Sequence, residues 1–346
     1  MITANHMLTL IRFTGLTLMG LLVLLSGAWA ALSLLYTGPG GEPWRSIMAM
    51  CFAVLTLTSA GTLALPHWRW RMVLVFVVAF VGAWLAFSRL EPSNERNWQA
   101  DVAVLPSATI EGDLITVHNI RNFDYQSETD YTQAYYDRQF DLNQLEGVDL
   151  VSVYWMGPSI AHVFLSFAFA GDQHLAISIE TRKEQGEGYS TLQGFFRQYE
   201  LYYVVADERD VVRLRTNYRK DPPEDVYLYR TAGSLEDGRR LFLEYIRKIN
   251  SLNTQPEFYN TLTSNCTTSI WLNAHVNQQR LPLDWRILVS GYVPEYMYQN
   301  GRLETYGLPF AELQQRAYAN PRAHQADADM DFSNRIRKSM PDPDQP

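Results

Sequence analysis

The segment TSNCTTSIW, residues 263–271, places a cysteine among small polar residues. Cys266 is one of two cysteines in the 346-residue chain, and it directly follows Ser264 and Asn265. Because serine and asparagine are favoured N-cap residues, Cys266 is expected in the first turn of a helix, where free N–H groups and the helix dipole stabilise a thiolate. The same N–H groups can form part of an oxyanion hole, which is typical of cysteine acyl-transfer sites. The alternative is a small buried cysteine that begins a helix without reacting.

A thiolate nucleophile also needs a base, usually a histidine that a third polar group orients. Among seven histidines, His162 and His174 lie on the two strands of a predicted hairpin, and His162 opens a strand that is otherwise apolar. On the second strand, His174, Glu180 and Arg182 share one face, because alternate residues of a strand point the same way. We therefore expect His162 to act as the base and Glu180 or His174 to orient it. The alternatives are a solvent-facing His174 beside a turn and a surface ion pair of Glu180 with Arg182.

Motifs of other chemistries are absent from the sequence. It contains no H-E-x-x-H, C-x-x-C, G-x-S-x-G or phosphate-binding glycine loop, so neither a metal nor an organic cofactor is expected. The net charge of −8 argues against nucleic acid as a partner. The acidic and aromatic stretch at 122–142 could bind a polar substrate or form a hydrogen-bonded lid of tyrosines.

Three apolar runs without charged residues precede the candidate site, over 13–36, 46–66 and 72–88. A helix of about 20 apolar residues, with a range of about 17–25, crosses a bilayer. The runs therefore predict a transmembrane anchor of three helices at residues 1–90. The alternative for the first run is a cleaved signal peptide, because Ala28-Trp29-Ala30 resembles a cleavage site.

Basic residues predict the orientation of this anchor. The short loop HWRWR, residues 67–71, is basic, and cytoplasmic loops carry an excess of lysine and arginine. Three crossings then place the N-terminus in the cytoplasm and everything after about Glu91 in the periplasm, as a multi-pass protein of the inner membrane. In that oxidising compartment, a lone cysteine is either buried and inert or reactive.

Beyond the anchor we expect a linker at 91–112, a periplasmic domain at 113–318 and a flexible tail at 319–346. The domain shows strand patterns first and helical spacing later, without regular alternation, which favours an α+β fold. Apolar periodicity predicts strands over 113–120, 148–155, 162–169, 174–180, 200–206, 210–218 and 225–231, and helices over 234–253 and 266–279.

Three segments stand out: HNIRNFDYQSETDYTQAYYDRQFDL, AHVFLSFAFAGDQHLAISIETRKEQGEGYS and YNTLTSNCTTSI. Together they resemble a bacterial family, long described as a domain of unknown function, whose domain also forms the N-terminal periplasmic region of the lipoprotein N-acyltransferase Lnb. The resemblance runs from about His118 to Arg316. More distantly, the arrangement is similar to permuted papain-like enzymes of the NlpC and lecithin–retinol acyltransferase types. In those enzymes a strand histidine precedes an Asn-Cys pair that opens a helix, an order that His162 and Asn265-Cys266 match. In the acyltransferase type a second histidine follows the first at the spacing of His174.

The resemblance implies a circularly permuted papain-like cysteine-hydrolase domain. In it Cys266 attacks an acyl carbonyl, His162 acts as base and then as acid, and a thioester passes its acyl group to an amine or to water. Asn265, Arg182 and Tyr154 are expected to support the site or to contact the substrate. A membrane anchor favours a lipid or lipoprotein acyl group as the donor. The alternatives are a peptidase or amidase acting on peptidoglycan and a non-enzymatic envelope-binding protein.

Overall fold

The computed structural model describes residues 4–278 and 280–338 of the chain. The chain forms two compact units. One comprises Met1–Pro92 together with Ser190–Gln198, and the other comprises Ser93–Tyr189 and Tyr199–Pro346.

The first unit consists mainly of helices that follow the three apolar runs. They are α1 (Ala4–Thr37), α2 (Trp44–Thr62) and α3 (Arg69–Ser88). Among the described residues, three helices are long and apolar enough to cross a membrane. Gly27 lets α1 approach α2 closely, since a Cβ at this position would lie 2.2 Å from the Thr56 side chain. Small residues at such crossings let the backbones of membrane helices pack together.

The segment Ser190–Gln198 packs with the ends of these helices inside the first unit. The Arg197 guanidinium donates a hydrogen bond of 3.1 Å to the carbonyl oxygen of Phe87 and lies over the Phe87 ring. The ring of Phe196 packs against that of Tyr36, with centroids 5.6 Å apart. Arg197 therefore adds a side-chain donor to a carbonyl group in the last turn of α3, which also accepts from the N–H of Leu90 at 3.3 Å.

The second unit is built on an eight-stranded sheet in the described part of the chain, with the strand order β1-β2-β9-β8-β7-β6-β10 and with β5 on β2. All neighbours are antiparallel except β2 and β9, and β3 and β4 form a separate ribbon. The strands are β1 (Ser107–Glu111), β2 (Leu114–Arg121), β3 (Asp124–Tyr125), β4 (Tyr131–Thr132), β5 (Tyr135–Asp141), β6 (Leu145–Tyr154), β7 (Ala161–Phe169), β8 (Gln173–Arg182), β9 (Glu200–Ala206) and β10 (Asp225–Arg230).

Helices cover both faces of this sheet. The helices of the second unit are α4 (Glu208–Arg213), α5 (Leu235–Thr254), α6 (Cys266–Asn273), α7 (Trp285–Leu288), α8 (Val293–Gln299), α9 (Phe310–Ala317), α10 (Asn320–Ala326) and α11 (Phe332–Arg337). On one face, Phe242 and Tyr245 of α5 pack against Phe167. On the other, Phe164 belongs to the core that contains Phe332 of α11. The predicted α+β class, with three apolar helices before a sheet-containing domain, is confirmed.

Residues 210–218, predicted as a strand, are helical instead. They form most of α4 and a π-helical turn at Leu214–Tyr218. Val211 and Val212 favour a strand, but the Asp207 carboxylate caps the helix by accepting a hydrogen bond from the N–H of Arg209. Helical spacing buries Asp210 against Arg121, so tertiary contacts override the local β preference.

The predicted linker at 91–112 is packed onto the second unit from Ser93 onward. Trp98 and Val102 are buried. The Arg182 guanidinium lies over the Trp98 ring at 4.3 Å and donates to the carbonyl oxygens of Val102 and Ala103. A buried arginine therefore holds this segment, and β1 follows it directly.

The expected flexible tail is structured over 319–338. Phe332 and Ile336, one turn apart on α11, are both 0% exposed. Arg337 donates to Asp149 at 2.8 Å and to Glu208 at 2.7 Å, both of which are buried carboxylates. A few apolar residues are enough to pack this segment onto the domain, because their helical spacing places them on one buried face. The remainder of the predicted tail, 339–346, lies outside the described residues.

Candidate active site

The site forms where two neighbouring strands of the sheet separate. β7 pairs with β6 along its whole length, and β8 pairs with β9 from Ala176 to Arg182. Within the described residues, pairing between β7 and β8 ends at Leu165 and Ile177. Beyond this point the N–H of Val163 donates to Cys266 instead of to β8. The opening thus lets the first residue of α6 reach the sheet.

Helix α6 begins with a complete capping box. The Asn265 side-chain oxygen accepts from the N–H of Thr268 at 2.8 Å, and the Thr268 hydroxyl accepts from the N–H of Asn265 at 3.0 Å. This reciprocal arrangement defines where the helix starts. The N–H of Cys266 lies in the first turn, which has no intrahelical acceptor, so it can donate to a negative oxygen near the sulfur.

His162 lies on β7 at the edge of the opening, facing residues of β8. Its Nε2 atom lies 2.7 Å from Ser178 Oγ and 3.0 Å from Glu180 Oε1. The Ser178 hydroxyl donates to Glu180 at 2.7 Å. The imidazole also forms a hydrogen bond with Cys266. Because Nε2 is engaged by β8, Nδ1 is the ring nitrogen that remains for the thiol.

The charges of these groups stabilise one another. Burial by itself lowers the pKa of His162. The charge of the Glu180 carboxylate has the opposite effect, and the pKa is raised to about 9. Burial raises the pKa of the Cys266 thiol, but the His162 imidazolium and the Val163 N–H outweigh burial and hold it below its usual value. The two pKa values shift in opposite directions, so the imidazolium of His162 and the thiolate of Cys266 each favour the charged form of the other.

Arg215 holds the Glu180 carboxylate from the other side. Its Nη2 atom donates to Glu180 Oε1 at 2.7 Å, and its side chain is nearly fully buried. Burial raises the pKa of Glu180, but His162 and Arg215 lower it well below the usual range. Glu224 accepts from Arg215 at 3.5 Å and from Arg219 at 2.9 Å, so the arginine is itself fixed by a second acid. The low pKa of Glu180 therefore keeps its carboxylate ionised near neutral pH.

Residues 131–291 match the model of a family described as the Lnb N-terminal periplasmic domain. The chain carries a domain of this family. The matched range contains His162, Glu180, Arg215 and Cys266. Comparisons with curated proteins and with solved structures found no match. With its three membrane-length helices, the protein is a membrane protein with an Lnb-family periplasmic domain.

The Lnb-family domain brings together only some of the residues that the sequence singled out. His174 is paired with Ala168 near the turn between β7 and β8. Ala168 lies six residues along β7 from His162, roughly 20 Å at about 3.3 Å per residue. Burial lowers the pKa of His174, and its Nδ1 atom contacts the carbonyl oxygen of Asp172 at 3.3 Å. Of the two candidates for the third residue, the geometry brings Glu180 to His162 and leaves His174 at the other end of the hairpin.

Two further expected residues have supporting roles in the Lnb-family domain. The Tyr154 hydroxyl donates to the carbonyl oxygen of Gly291 at 2.7 Å, and the N–H of Gly291 donates to Ser159 at 3.0 Å. This ties the loop before His162 to the segment after α7. Arg182 binds the stretch around Trp98, as described above, and does not contact the Cys266 pair through any of its three hydrogen-bonding nitrogens.

Sequence reasoning missed several functional neighbours in the Lnb-family domain. Ser178 was detectable, since it shares the face of β8 that carries Glu180. Arg215 was not, because its segment has the pattern of a strand. Tyr259 is also near the site: burial raises its pKa, and the charge of Cys266 adds to this. Its hydroxyl bonds that of Tyr189, and no sequence pattern indicated this pairing.

In the parts of the chain that the structure describes, no group of three or more histidine, cysteine, aspartate or glutamate side chains could hold a metal ion. The groups present at this position are a thiol of lowered pKa and a histidine hydrogen-bonded to it.

Proposed function

We propose that the protein is a membrane-anchored periplasmic acyltransferase with papain-like chemistry, which carries acyl groups of lipids or lipoproteins as a thioester on Cys266. The observation that carries the proposal is the hydrogen-bonded pair of Cys266 and His162 at the start of a capped helix, with Glu180 3.0 Å from the imidazole. The proposal includes insertion in the inner membrane with a cytoplasmic N-terminus, which the basic loop at 67–71 supports.

The proposed reaction has two steps. The Cys266 thiolate attacks the acyl carbonyl carbon, and the N–H of Cys266 stabilises the negative oxygen of the tetrahedral intermediate. The His162 imidazolium gives its proton to the leaving group, and the thioester forms. In the second step, neutral His162 removes a proton from an amine as its nitrogen attacks the thioester. An amide forms, and the thiolate and the imidazolium are regenerated.

Exposed apolar side chains near the site favour a lipid acyl donor over a polar peptidoglycan peptide. Met156 and Ile160, which precede His162 on the chain, are 70% and 40% exposed. Leu262, shortly before Cys266, is 50% exposed, and Trp285 of α7 is 58% exposed. Hydrogen bonds join these regions, since Ser159 accepts from Gly291 and Thr267 donates to Ile287. Exposed apolar residues on segments that flank the site are of the kind that a membrane or lipid contact uses.

The test uses the full-length protein in lipid nanodiscs that contain a diacylated lipoprotein or phospholipid donor. We expect the unchanged protein and a Cys51→Ala control to acquire a hydroxylamine-sensitive acyl group on Cys266, detected by peptide mass spectrometry. Cys266→Ala and Cys266→Ser are expected to lose acyl transfer to an amine acceptor while keeping the same thermal unfolding midpoint. Undiminished transfer by Cys266→Ala would sink the proposal. Release of muropeptides from purified cell wall by the unchanged protein would instead support a peptidoglycan hydrolase.

A further inference from the structure

A cavity of about 300 Å³ lies between the sheet and the helices α5, α6 and α8 of the second unit. Its walls are mainly apolar, and they include Leu150, Val163, Leu165, Leu241, Ile270 and Met297. The charged residues that line it are balanced, with Arg230, Arg280 and Arg302 against Glu146, Asp237 and Glu304. This lining suits an uncharged apolar ligand, because balanced charges give no preference for an anionic or cationic group.

The cavity adjoins the candidate active site. Val163 and Thr267, which directly follow His162 and Cys266, both line it. The N–H of Val163 donates to the sulfur of Cys266 while the Val163 side chain is part of the cavity wall. Ile270, also in the wall, lies one helical turn from Cys266 on the same face of α6. One layer of residues therefore separates the reactive sulfur from the cavity.

The cavity is long in the direction of β7. It extends from Val163 to Leu145, and Leu145 pairs with Phe169 at the other end of the strand. Six residues of strand cover roughly 20 Å at about 3.3 Å each. At the Leu145 end the wall contains Gly238 of α5, where a Cβ would lie 2.9 Å from the Leu145 side chain. An apolar space of about 300 Å³ that extends this far along a strand fits an unbranched hydrocarbon chain better than a folded peptide.

We propose that this cavity binds the hydrocarbon chain of the acyl group carried on Cys266, with the chain passing Thr267 and lying along β7. The proposal rests on the proposed function, because only a thioester at Cys266 places one end of the chain beside Val163 and Thr267. It predicts that Cys266 accepts long unbranched acyl groups in preference to short ones. Ala274 lines the cavity, so a larger residue at this position would fill part of it. Leu272 is nearby in the chain but is exposed and does not line the cavity.

The experiment measures acylation of Cys266 in the full-length protein in nanodiscs by p-nitrophenyl acetate and p-nitrophenyl dodecanoate. We expect the dodecanoyl ester to react faster. We expect Ala274→Trp to slow the dodecanoyl reaction by roughly tenfold or more and to leave the acetyl reaction unchanged. The matched control is Leu272→Trp, which adds the same side chain on the exposed side of α6 and is expected to change neither rate. Equal rates for the two esters, or equal slowing of both by Ala274→Trp, would overturn the cavity proposal while the proposed function stands.

A second measurement separates the cavity from the chemistry. If neither ester acylates Cys266, the proposed function fails, and binding alone then decides the role of the cavity. Cys266→Ala protein in nanodiscs is titrated with a fluorescent fatty acid, with and without Ala274→Trp. Saturable binding that Ala274→Trp removes and Leu272→Trp retains supports a hydrocarbon site. Binding that Ala274→Trp leaves unchanged, or that does not exceed binding to empty nanodiscs, overturns it.

Discussion

The Glu180 carboxylate governs the charge of the candidate nucleophile although it makes no bond to the sulfur. It accepts from Ser178 and Arg215 at 2.7 Å each, and it lies 3.0 Å from the imidazole. By stabilising the imidazolium of His162 it favours the thiolate indirectly, while its own negative charge raises the pKa of Cys266 and so opposes the thiolate. A change at Glu180 is therefore expected to alter the pH dependence of the reactivity of Cys266 while the fold is retained.

Glu180→Gln is expected to lower the pKa of His162 from about 9 toward its ordinary value of 6.5, because a neutral amide no longer stabilises the imidazolium. Iodoacetate is an anion that the imidazolium attracts, so alkylation of Cys266 should fall as His162 loses its proton. In a Cys51→Ala background, we expect this fall to move to lower pH in Glu180→Gln.

Glu184→Gln is the control, since Glu184 pairs with Arg96 and is not among the groups that shift the His162 pKa. If the alkylation of Cys266 falls at the same pH in Glu180→Gln and in the unchanged protein, the role assigned to Glu180 is contradicted.

Short helices at the end of the described chain complete one face of the sheet. Phe332 and Ile336 of α11 join the core that contains Phe164, on the face of β7 that also carries His162. Arg337 pairs with Asp149 and Glu208, and without it the buried Glu208 would lose its arginine partner, whereas Asp149 would keep Arg230. The α11 helix is thus part of the framework behind the candidate site.

Phe332→Ala is expected to destabilise the domain by about 3–5 kcal/mol, the usual cost of removing a fully buried phenylalanine ring. The matched control is Met330→Ala, because Met330 is 80% exposed and exposed positions rarely contribute more than about 0.5 kcal/mol. Thermal unfolding of the full-length protein in detergent, followed by intrinsic fluorescence, compares the two. Equal midpoints would show that α11 does not support the fold.

The whole molecule combines a membrane anchor with an Lnb-family domain on one chain. Arg69 and Arg71 lie close together at the start of α3, whereas the connection from α1 to α2 carries one acid, Glu42, followed by one arginine, Arg45, at the start of α2. Since basic residues are retained on the cytoplasmic side, this difference sets the expected orientation.

The orientation is testable by cysteine labelling in a background of Cys51→Ala and Cys266→Ala. We expect Met330→Cys, exposed on the second unit, to react with a membrane-impermeant maleimide in cells whose outer membrane is permeabilised. His67→Cys, exposed in the basic loop, should react only after lysis. Labelling of His67→Cys before lysis, with Met330→Cys protected, would reverse the orientation.

The sequence alone was sufficient for features that depend on local spacing. The apolar runs predicted α1, α2 and α3, alternation predicted the β7–β8 hairpin, and Ser234 and Asn265 marked the starts of α5 and α6, where both act as caps. These features are encoded within one or two turns of chain, so periodicity and capping chemistry reveal them.

Only the tertiary structure decided which polar residues meet. It separated Glu180 from His174 as the partner of His162, although both lie on the same face of β8. It made 210–218 helical and so placed Arg215 on Glu180, and it folded 319–338 onto the sheet. The reason is that each of these outcomes depends on contacts between residues far apart in the chain, where strand register, burial and charge pairing outweigh local preference.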